Sequence, residues 1–578
     1  MKMHRLALLL LTSALLFSCK GDEGDMLWLK DPDSSVLADL KASMEESEPY
    51  FQLRILDHWD NLDGSIERGY AGTSLWKWDE LPKVISPRYE QYARLCESVG
   101  INGAVLNNVN ANPDILSEEY LPKVAAIADI LRPHGIKVYL SINFASPMLI
   151  DTLKTADPTD ESVRKWWILK VAQLYTWIPD FGGFLVKANS EGQPGPMDYG
   201  CTHADGANML AAALAPSGGI VMWRAFVYSP NSDDRAAQAY YEFKPLDGEF
   251  YPNVIIQVKN GPVDFQPREP YNPLFGAMDK TKVMPELQIT QEYLGQSTHL
   301  VYLAPMWKEF FDFGYPLDDN CAIAGVANTG SDPNWCGHTF ASANWYAFGR
   351  LAWNPGLSSE EIAAEWVALM FPKLPAELRA EVVKMMCESR EAAVDYMMPL
   401  GIHHLFANEH HYGPGPWCTI PGGRSDWEPR YYHQADSAGV GFDRTEEGSC
   451  QVLQYPEPWR SEWSKLETCP DEYLLWFHHL PWDYELSSTG KSLWLSMCDK
   501  YLEGNLKVEQ MVSLWDKCRP YVDKKTWNEV AGKLQLQKEN ARAWLEGVLQ
   551  YFSNINGLEI PAYLGPMQHD LEYYESVK

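Results

Sequence analysis

Four stretches of the sequence place charged side chains at the end of an apolar run, where a strand would hand its backbone to a loop. FLVKANSEGQPGP (184–196) runs into Lys187, Glu191 and a Gly-Pro turn. GIVMWRAFVY (219–228) carries Arg224, QVKNGPVDFQPREP (257–270) carries Lys259 and Asp264, and ELQITQE (286–292) ends in Glu292. Glycoside hydrolysis needs two carboxyl functions, one to protonate the leaving oxygen and one to activate water or attack carbon. A partly desolvated carboxyl beside a Gly-Pro loop suits the acid, hence Glu191; Asp264 and Glu292 are candidates for the base side. A single Asp or Glu in a chain with 78 acids is ordinarily a solvated charge, so position at successive strand ends, and not residue type, singles out these three. A neutral sugar has no use for Lys187, Arg224 and Lys259 around one pocket. A substrate bearing its own carboxylate does, since charge-assisted bonds to Arg and Lys would orient it. The same cations can instead pair with the catalytic acids and tune them, and the two roles are compatible. The ligand class inferred from these residues is a uronic acid.

Such side chains converge only if the elements that bear them converge. From residue 51 the chain alternates short β-forming apolar runs with amphipathic or loop stretches. The runs are 52–59, 102–109, 137–144, 182–189, 219–228, 253–260, 286–292 and 322–328. Eight strands joined by crossovers predict an α/β fold, a (β/α)8 TIM barrel whose active site lies at the C-terminal ends of the strands. The further apolar run HLVYLAPMW (299–307) is assigned to a long loop before the last strand. After about residue 355 the period changes to helical, with Trp527, Val530, Leu534, Ala541, Trp544, Leu545 and Val548 on one stripe. Segments 359–371, 376–398, 490–516 and 524–552 read as helices, and 401–488, rich in Gly, Pro, Trp and His, as long ordered loops. The expected organisation is a leader over 1–19, a tether with one short helix over 20–49, a catalytic barrel over 50–355 and a mainly α-helical C-terminal domain over 356–578.

A formal net charge of −30 argues against nucleic acid or an anionic membrane surface as partners. The 23 Trp and 30 Tyr favour a carbohydrate ligand, although large cores use the same residues. The first residues carry a basic start and an apolar run too short to span a bilayer, followed by Leu16-Phe17-Ser18-Cys19. That ending resembles a bacterial lipobox, in which Cys19 would be lipidated. The expectation is an exported lipoprotein of the periplasm or outer membrane, touching the membrane only through its lipid. The other 10 cysteines show no CxxC spacing, so neither a zinc site nor a disulfide framework is read from them.

Longer motifs carry a resemblance. LRILDHWDNLDGSIERGYAG, GINGAVLNNVNA, DFGGFLVKANSEGQPGPMDYG, GGIVMWRAFVY, QVKNGPVDFQPREP, QITQEYLGQ, NWCGHTFASANWYAFGRLAW and DYMMPLGIHHLFANEHHYGPGPW are similar to the α-glucuronidases of glycoside hydrolase family 67, and the likeness runs from about residue 50 nearly to the end. The resemblance implies a central barrel with a helical C-terminal domain. It also implies inverting, exo-acting removal of (4-O-methyl-)α-D-glucuronic acid from the non-reducing-end xylose of short xylooligosaccharides, with no metal or cofactor. By matching motif, Glu191 is the general acid, and Asp264 and Glu292 are the carboxylates that activate water. Trp59, Val109, Lys187, Arg224 and Lys259 line the glucuronate pocket. Two departures from the family pattern stand out. A short tether precedes DHWDN, where the family usually has an additional N-terminal α/β domain, and MWKEFFDFGYPLDDNCAIAGVAN is a compact connection. Homodimerisation is left open.

His403, His404, His410 and His411 lie in GIHHLFANEHHYGPGPW without the spacing of a zinc motif, and read as a loop over the barrel mouth. In the same region Trp417 is either a platform for the xylose next to the uronate or a packed loop residue. Asp57, Asp60 and Asp63, near Trp59, read as structural, through capping and pairing with Arg68. Two other functions compete with the first: a barrel glycosidase for another uronic-acid-bearing glycan, and a non-catalytic lipoprotein that captures oligosaccharide. Retention of all three carboxylates argues against the second.

Overall fold

A computed structural model describes residues 26–31, 33–226, 234–313, 322–408 and 410–576. The lipobox and Cys19 lie outside the described residues. Eight parallel strands close a barrel in sequence order: β1 Leu53–Asp57, β2 Gly103–Val105, β3 Lys137–Ile142, β4 Gly183–Val186, β5 Ile220–Arg224, β6 Val254–Lys259, β7 Val283–Gln288 and β8 Ala322–Val326, with β8 back on β1. Seven of the eight fall within the expected apolar runs, because strands of a closed parallel barrel are covered on both faces and read as near-continuous hydrophobic stretches. The seventh is shifted: β7 starts three residues before its expected run of 286–292 and ends at Gln288, so Glu292 stands in the loop beyond it. Amphipathic helices follow most strands, among them Pro87–Ser98 after β1 and Glu161–Trp177 after β3. The connection from β6 to β7 contains no helix, and it carries Asp264. The run 299–307 is not a strand; its second half opens the helix Ala304–Asp312.

Beyond the barrel the chain is helical, with long helices Ser359–Met370, Ala376–Met397, Leu493–Cys518 and Lys524–Asn556. Between the second and third of these, the expected loops are punctuated by short helices such as Pro429–His433, Trp459–Trp463 and Leu474–Phe477. A two-stranded ladder, Gly439–Val440 with Leu480–Pro481, joins them. The expected tether is corrected by the structure over its described part. Leu27, Trp28 and Leu40 are buried, Trp28 packs edge-on against Trp345 and Tyr346, and its indole N–H donates to Ser98 Oγ at 2.9 Å. Within the described residues of this segment, Trp28 is thus docked on the barrel, and the short helix Ser35–Glu45 packs on the helix Ser359–Met370.

The barrel interior holds a polar layer beneath the strand ends. Gln257 Nε2 on β6 donates to Asp57 Oδ2 on β1 at 2.7 Å and to Glu286 Oε2 on β7 at 2.6 Å. Strands β1 and β6 are not neighbours, so the first of these bonds crosses the barrel. Arg224 on β5 grips Glu286 through Nε at 2.8 Å and Nη2 at 2.5 Å. With Arg224 neutralising Glu286, an ionised Asp57 would be a net buried charge. Burial first, and then the Glu286 carboxylate, push its pKa from 3.8 up to about 8.

Two expectations follow. Gly183 opens β4 at φ +139°, and a Cβ there would lie 2.0 Å from the carbonyl oxygen of Ile220. Gly183→Ala should lower stability by about 2–4 kcal/mol, read as a lower thermal midpoint by circular dichroism. For Asp57 the sign is set by proton retention: the native chain keeps a proton that the unfolded chain releases near 3.8. Its stabilising contribution is complete at acid pH and is lost as pH rises toward about 8. Asp57→Asn, which mimics the protonated form permanently, should gain on the wild type in melting temperature as pH is raised from about 5 to about 8. A constant gap across that range would contradict the assignment.

Candidate active site

The C-terminal ends of the strands surround a cavity of about 380 Å³, within the range of small-molecule sites. Glu191, Asp264 and Glu292 line it, as do Trp59, Val109, Lys187, Arg224 and Lys259. Trp417 does not. Its ring lies on the helix Lys524–Asn556, edge-on to Tyr551, where Gly547 leaves room: a Cβ there would stand 3.2 Å from the indole. The loop tryptophan at the cavity is instead Trp427, 38% exposed. Five cations and four carboxylates line the cavity, against 48 and 78 in the whole chain, so the acidic excess of the surface is reversed here.

Each sequence-identified cation meets a carboxylate. Lys187, at the end of β4, is buried and ion-paired with Glu191; its ammonium also donates to Asn110 Oδ1 at 2.9 Å. Asn110 and Asn108, on either side of Val109, both donate to Glu67 Oε2, at 2.9 and 2.8 Å. That pairing holds the loop after β2 against the one after β1. Lys259, the last residue of β6, donates to Asp264 Oδ1 at 2.5 Å. Arg224 is committed to Glu286 through Nε and Nη2, and among the described residues its Nη1 makes no hydrogen bond. All three cations lie over one aromatic ring, that of Phe226, with charge-to-centroid distances of 5.2 Å for Lys187, 5.3 Å for Arg224 and 3.7 Å for Lys259.

Asp264 and Glu292, the carboxylates expected on the base side, are held differently from one another. Asp264 is buried, which alone would raise its pKa. The Lys259 ammonium and the Arg235 guanidinium outweigh burial and, with the Tyr293 hydroxyl donating to Oδ2 at 2.7 Å, hold it well below the ordinary carboxylate range. Its helix-free loop is pinned from behind by Glu269, whose carboxylate accepts the backbone N–H groups of Val263, Asp264 and Gln266 at 2.7, 2.8 and 3.2 Å. Burial pushes Glu269 up to about 7. Glu292 accepts from Gln288 Nε2, from Arg68 Nε and from His411 Nδ1, each at 2.9 Å. Arg68 thus serves Glu292 and not the aspartates expected beside it. Asp60 accepts from Ser74, Asp63 from Ser65, and Asp57 from Gln257.

Backbone strain gathers at the same place. Glu191, Arg68, His404 and His411, all at the cavity, have φ of +48°, +54°, +57° and +54°, a region that side chains other than Gly, Asn and Asp rarely adopt. Surrounding bonds hold these conformations. Asn328, just after β8, accepts the N–H of Trp59 at 2.9 Å and donates to the carbonyls of Glu67 and Arg68 at 3.0 and 3.2 Å. Gln266 clamps His404, accepting its N–H and donating to Nδ1, both at 2.9 Å. The histidine-rich loop therefore divides its work. His404 and His411 face the cavity, while His403 stacks on Trp476 with centroids 4.1 Å apart. Among the described residues, no cluster of three or more His, Cys, Asp or Glu could hold a metal ion.

Reasoning from sequence missed Glu67, Arg235, Tyr293 and Trp427; it put His411 in a loop over the barrel mouth without a partner, and gave Arg68 to the wrong carboxylates. Tyr293 directly follows Glu292 and could have been noticed on that ground. Arg68 and His411 give no local signal, because they reach Glu292 from 224 and 119 residues away in sequence.

An exposed acid on a Gly-Pro loop shares a cation-rich cavity with two buried, hydrogen-bonded carboxylates, a set of groups suited to acid-base hydrolysis of an anionic glycoside. Comparison with known proteins agrees with it. The glycosyl hydrolase family 67 middle domain matches residues 36–322, and the family 67 C-terminus matches residues 336–564. Alpha-glucuronidase A of Emericella nidulans is 42% identical over 544 residues, and an alpha-glucuronidase of Hypocrea jecorina is 40% identical over 542. In both cases the match covers 89% of this chain and 63% of the relative, so the chain spans less than two thirds of their length. A solved GH138 enzyme targeting pectin rhamnogalacturonan II shares the fold at a TM-score of 0.50 and 13% identity, over 90% of this chain and 62% of that one. From barrel to helical region, the chain belongs to glycosyl hydrolase family 67.

Proposed function

We propose that this chain is an exo-acting, inverting α-glucuronidase that releases (4-O-methyl-)D-glucuronic acid from the non-reducing-end xylose of xylooligosaccharides. The observation that carries this reading is the meeting of Glu191, Asp264 and Glu292 with five cations around one cavity. The uronate carboxylate competes for Arg224, Lys187 and Lys259, and anchors the sugar ring by charge-assisted bonds. Competition for Lys187 releases the Glu191 carboxylate, which is 37% exposed on its side chain; it takes up a proton from solvent and passes that proton to the leaving oxygen. On the opposite side Asp264, kept ionised by its neighbours, and Glu292 orient a water and take its proton. Inversion requires the acid and base carboxyls to stand about 6.5–9.5 Å apart, with that water between them. No metal is assigned to any step, and the alphabet of groups is that of side-chain acid-base chemistry alone. The 40–42% identity to proteins named alpha-glucuronidase supports this substrate class over other uronosides.

Incubation with aldouronic acids of several lengths, followed by product chromatography, should show free glucuronate and unsubstituted xylooligosaccharide. Proton NMR of early time points should show the β-anomer first. Release from another uronoside but none from aldouronic acids would redirect the substrate assignment, and a first-formed α-anomer would remove inversion. Among variants, Glu191→Ala should lose at least about 100-fold in kcat with natural leaving groups and much less with a nitrophenol that needs no protonation. Asp264→Ala and Glu292→Ala should be impaired with both kinds of leaving group, since water activation is common to them.

A further inference from the structure

Lys187, Arg224 and Lys259 repel one another, yet three strands deliver them to the same few ångströms. Carboxylate pairing explains why each is tolerated singly, through Glu191, Glu286 and Asp264. It does not explain why they converge, because the three acids belong to three different loops or strands and share no hydrogen bond to one another. The shared element is Phe226, two residues past β5. Its ring lies 3.7 Å from the Lys259 ammonium, 5.2 Å from that of Lys187 and 5.3 Å from the Arg224 guanidinium carbon. All three distances fall within the reach of a cation–π contact. Phe226 also lines the cavity. Phe226 thus lies within cation–π reach of all three cations, and two of them hold the groups assigned as acid and base.

We propose that Phe226 is a positioning residue. Its π-face gathers the three cations into one carboxylate-binding cluster and, through Lys187–Glu191 and Lys259–Asp264, fixes the spacing between acid and base. The inference rests on the uronosidase reading of the site and adds to it the group that assembles the anion pocket. Each contact weakens as electron density is drawn off the ring, whereas packing volume barely changes. The quadrupole and the shape of Phe226 can therefore be separated.

The experiment is to replace Phe226 with mono-, di- and trifluorophenylalanine by amber suppression in the full chain, alongside Phe226→Tyr and Phe226→Leu. For each, kcat/KM on an aldouronic acid and the inhibition constant of free glucuronate are measured. The expected result is a stepwise fall in kcat/KM, reaching roughly tenfold or more at three fluorines, with glucuronate binding weakening in parallel. Phe226→Tyr should stay within about threefold of the wild type, and Phe226→Leu should fall at least as far as the trifluoro variant. Equal values across the fluorinated series would overturn the proposal, whatever the Leu variant does. The wild-type control separates the two levels. If it does not cleave aldouronic acids, the uronosidase reading fails; if it cleaves them and the series is flat, only the role of Phe226 fails.

Discussion

Buried charge needs an opposite charge, and at this barrel mouth nearly every feature follows from that constraint. Lys187, Arg224, Lys259 and Asp264 are almost fully withdrawn from water. An ion removed from water without a partner costs several kcal/mol, and breaking a buried pair strands the survivor at a similar cost. The pairs Lys187–Glu191, Arg224–Glu286, Lys259–Asp264 and Arg68–Glu292 meet this demand at the strand ends. They also explain how a chain of net charge −30 keeps a pocket fit for an anion. The cations are held in place by acids already present, and on the proposed reading an incoming carboxylate would exchange partners with them and would not enter an unbalanced field. Asp57 shows the limit of the scheme. With Arg224 committed to Glu286, no cation remains for it, and it takes up a proton instead.

The helical region completes what the barrel begins. His411 donates to Glu292, Gln266 clamps His404, and Tyr432 accepts from Arg235 Nη1 at 2.7 Å. Behind them Arg268, beside the residue that pins the Asp264 loop, pairs with Glu309 at 3.3 Å and with Glu391 at 2.8 Å. Glu391 lies on the helix Ala376–Met397. The β6–β7 connection, lacking a helix of its own, thus takes its rigidity from a helix more than 100 residues later.

Much of this was legible in the sequence, for a physical reason. Strands of a closed parallel barrel are covered on both faces and read as largely apolar runs, so a charge that closes a run marks the strand's end, and Lys187 and Lys259 stand at such points. Glu286 stands inside a strand run and looks like an interruption too early to matter, yet it anchors Arg224. Arg68, His411 and Trp427 come from irregular segments, where neither period nor spacing says which way a side chain faces. Trp417 and Trp427 show the difficulty: they lie ten residues apart in the same Gly- and Pro-rich stretch, yet Trp417 packs on a helix beside Gly547 and Trp427 reaches the cavity. The docking of Trp28 was hidden for a related reason, since a lone tryptophan in a charged segment carries no periodic signal.

The helix-free β6–β7 connection has a consequence for how such a chain can be inherited. The middle and C-terminal regions match separate family models, which invites treating them as modules that recombination could exchange. But the loop bearing Asp264 borrows its scaffold from the second region, and Glu292 borrows a hydrogen-bond partner from it. A barrel joined to a foreign helical region would keep its strands and lose the setting of both base-side carboxylates at once. The two regions are thus coupled at one site: an exchange of halves would disturb Asp264 and Glu292 together, whereas a change in a cavity-facing loop such as that of Trp427 would leave both contacts in place.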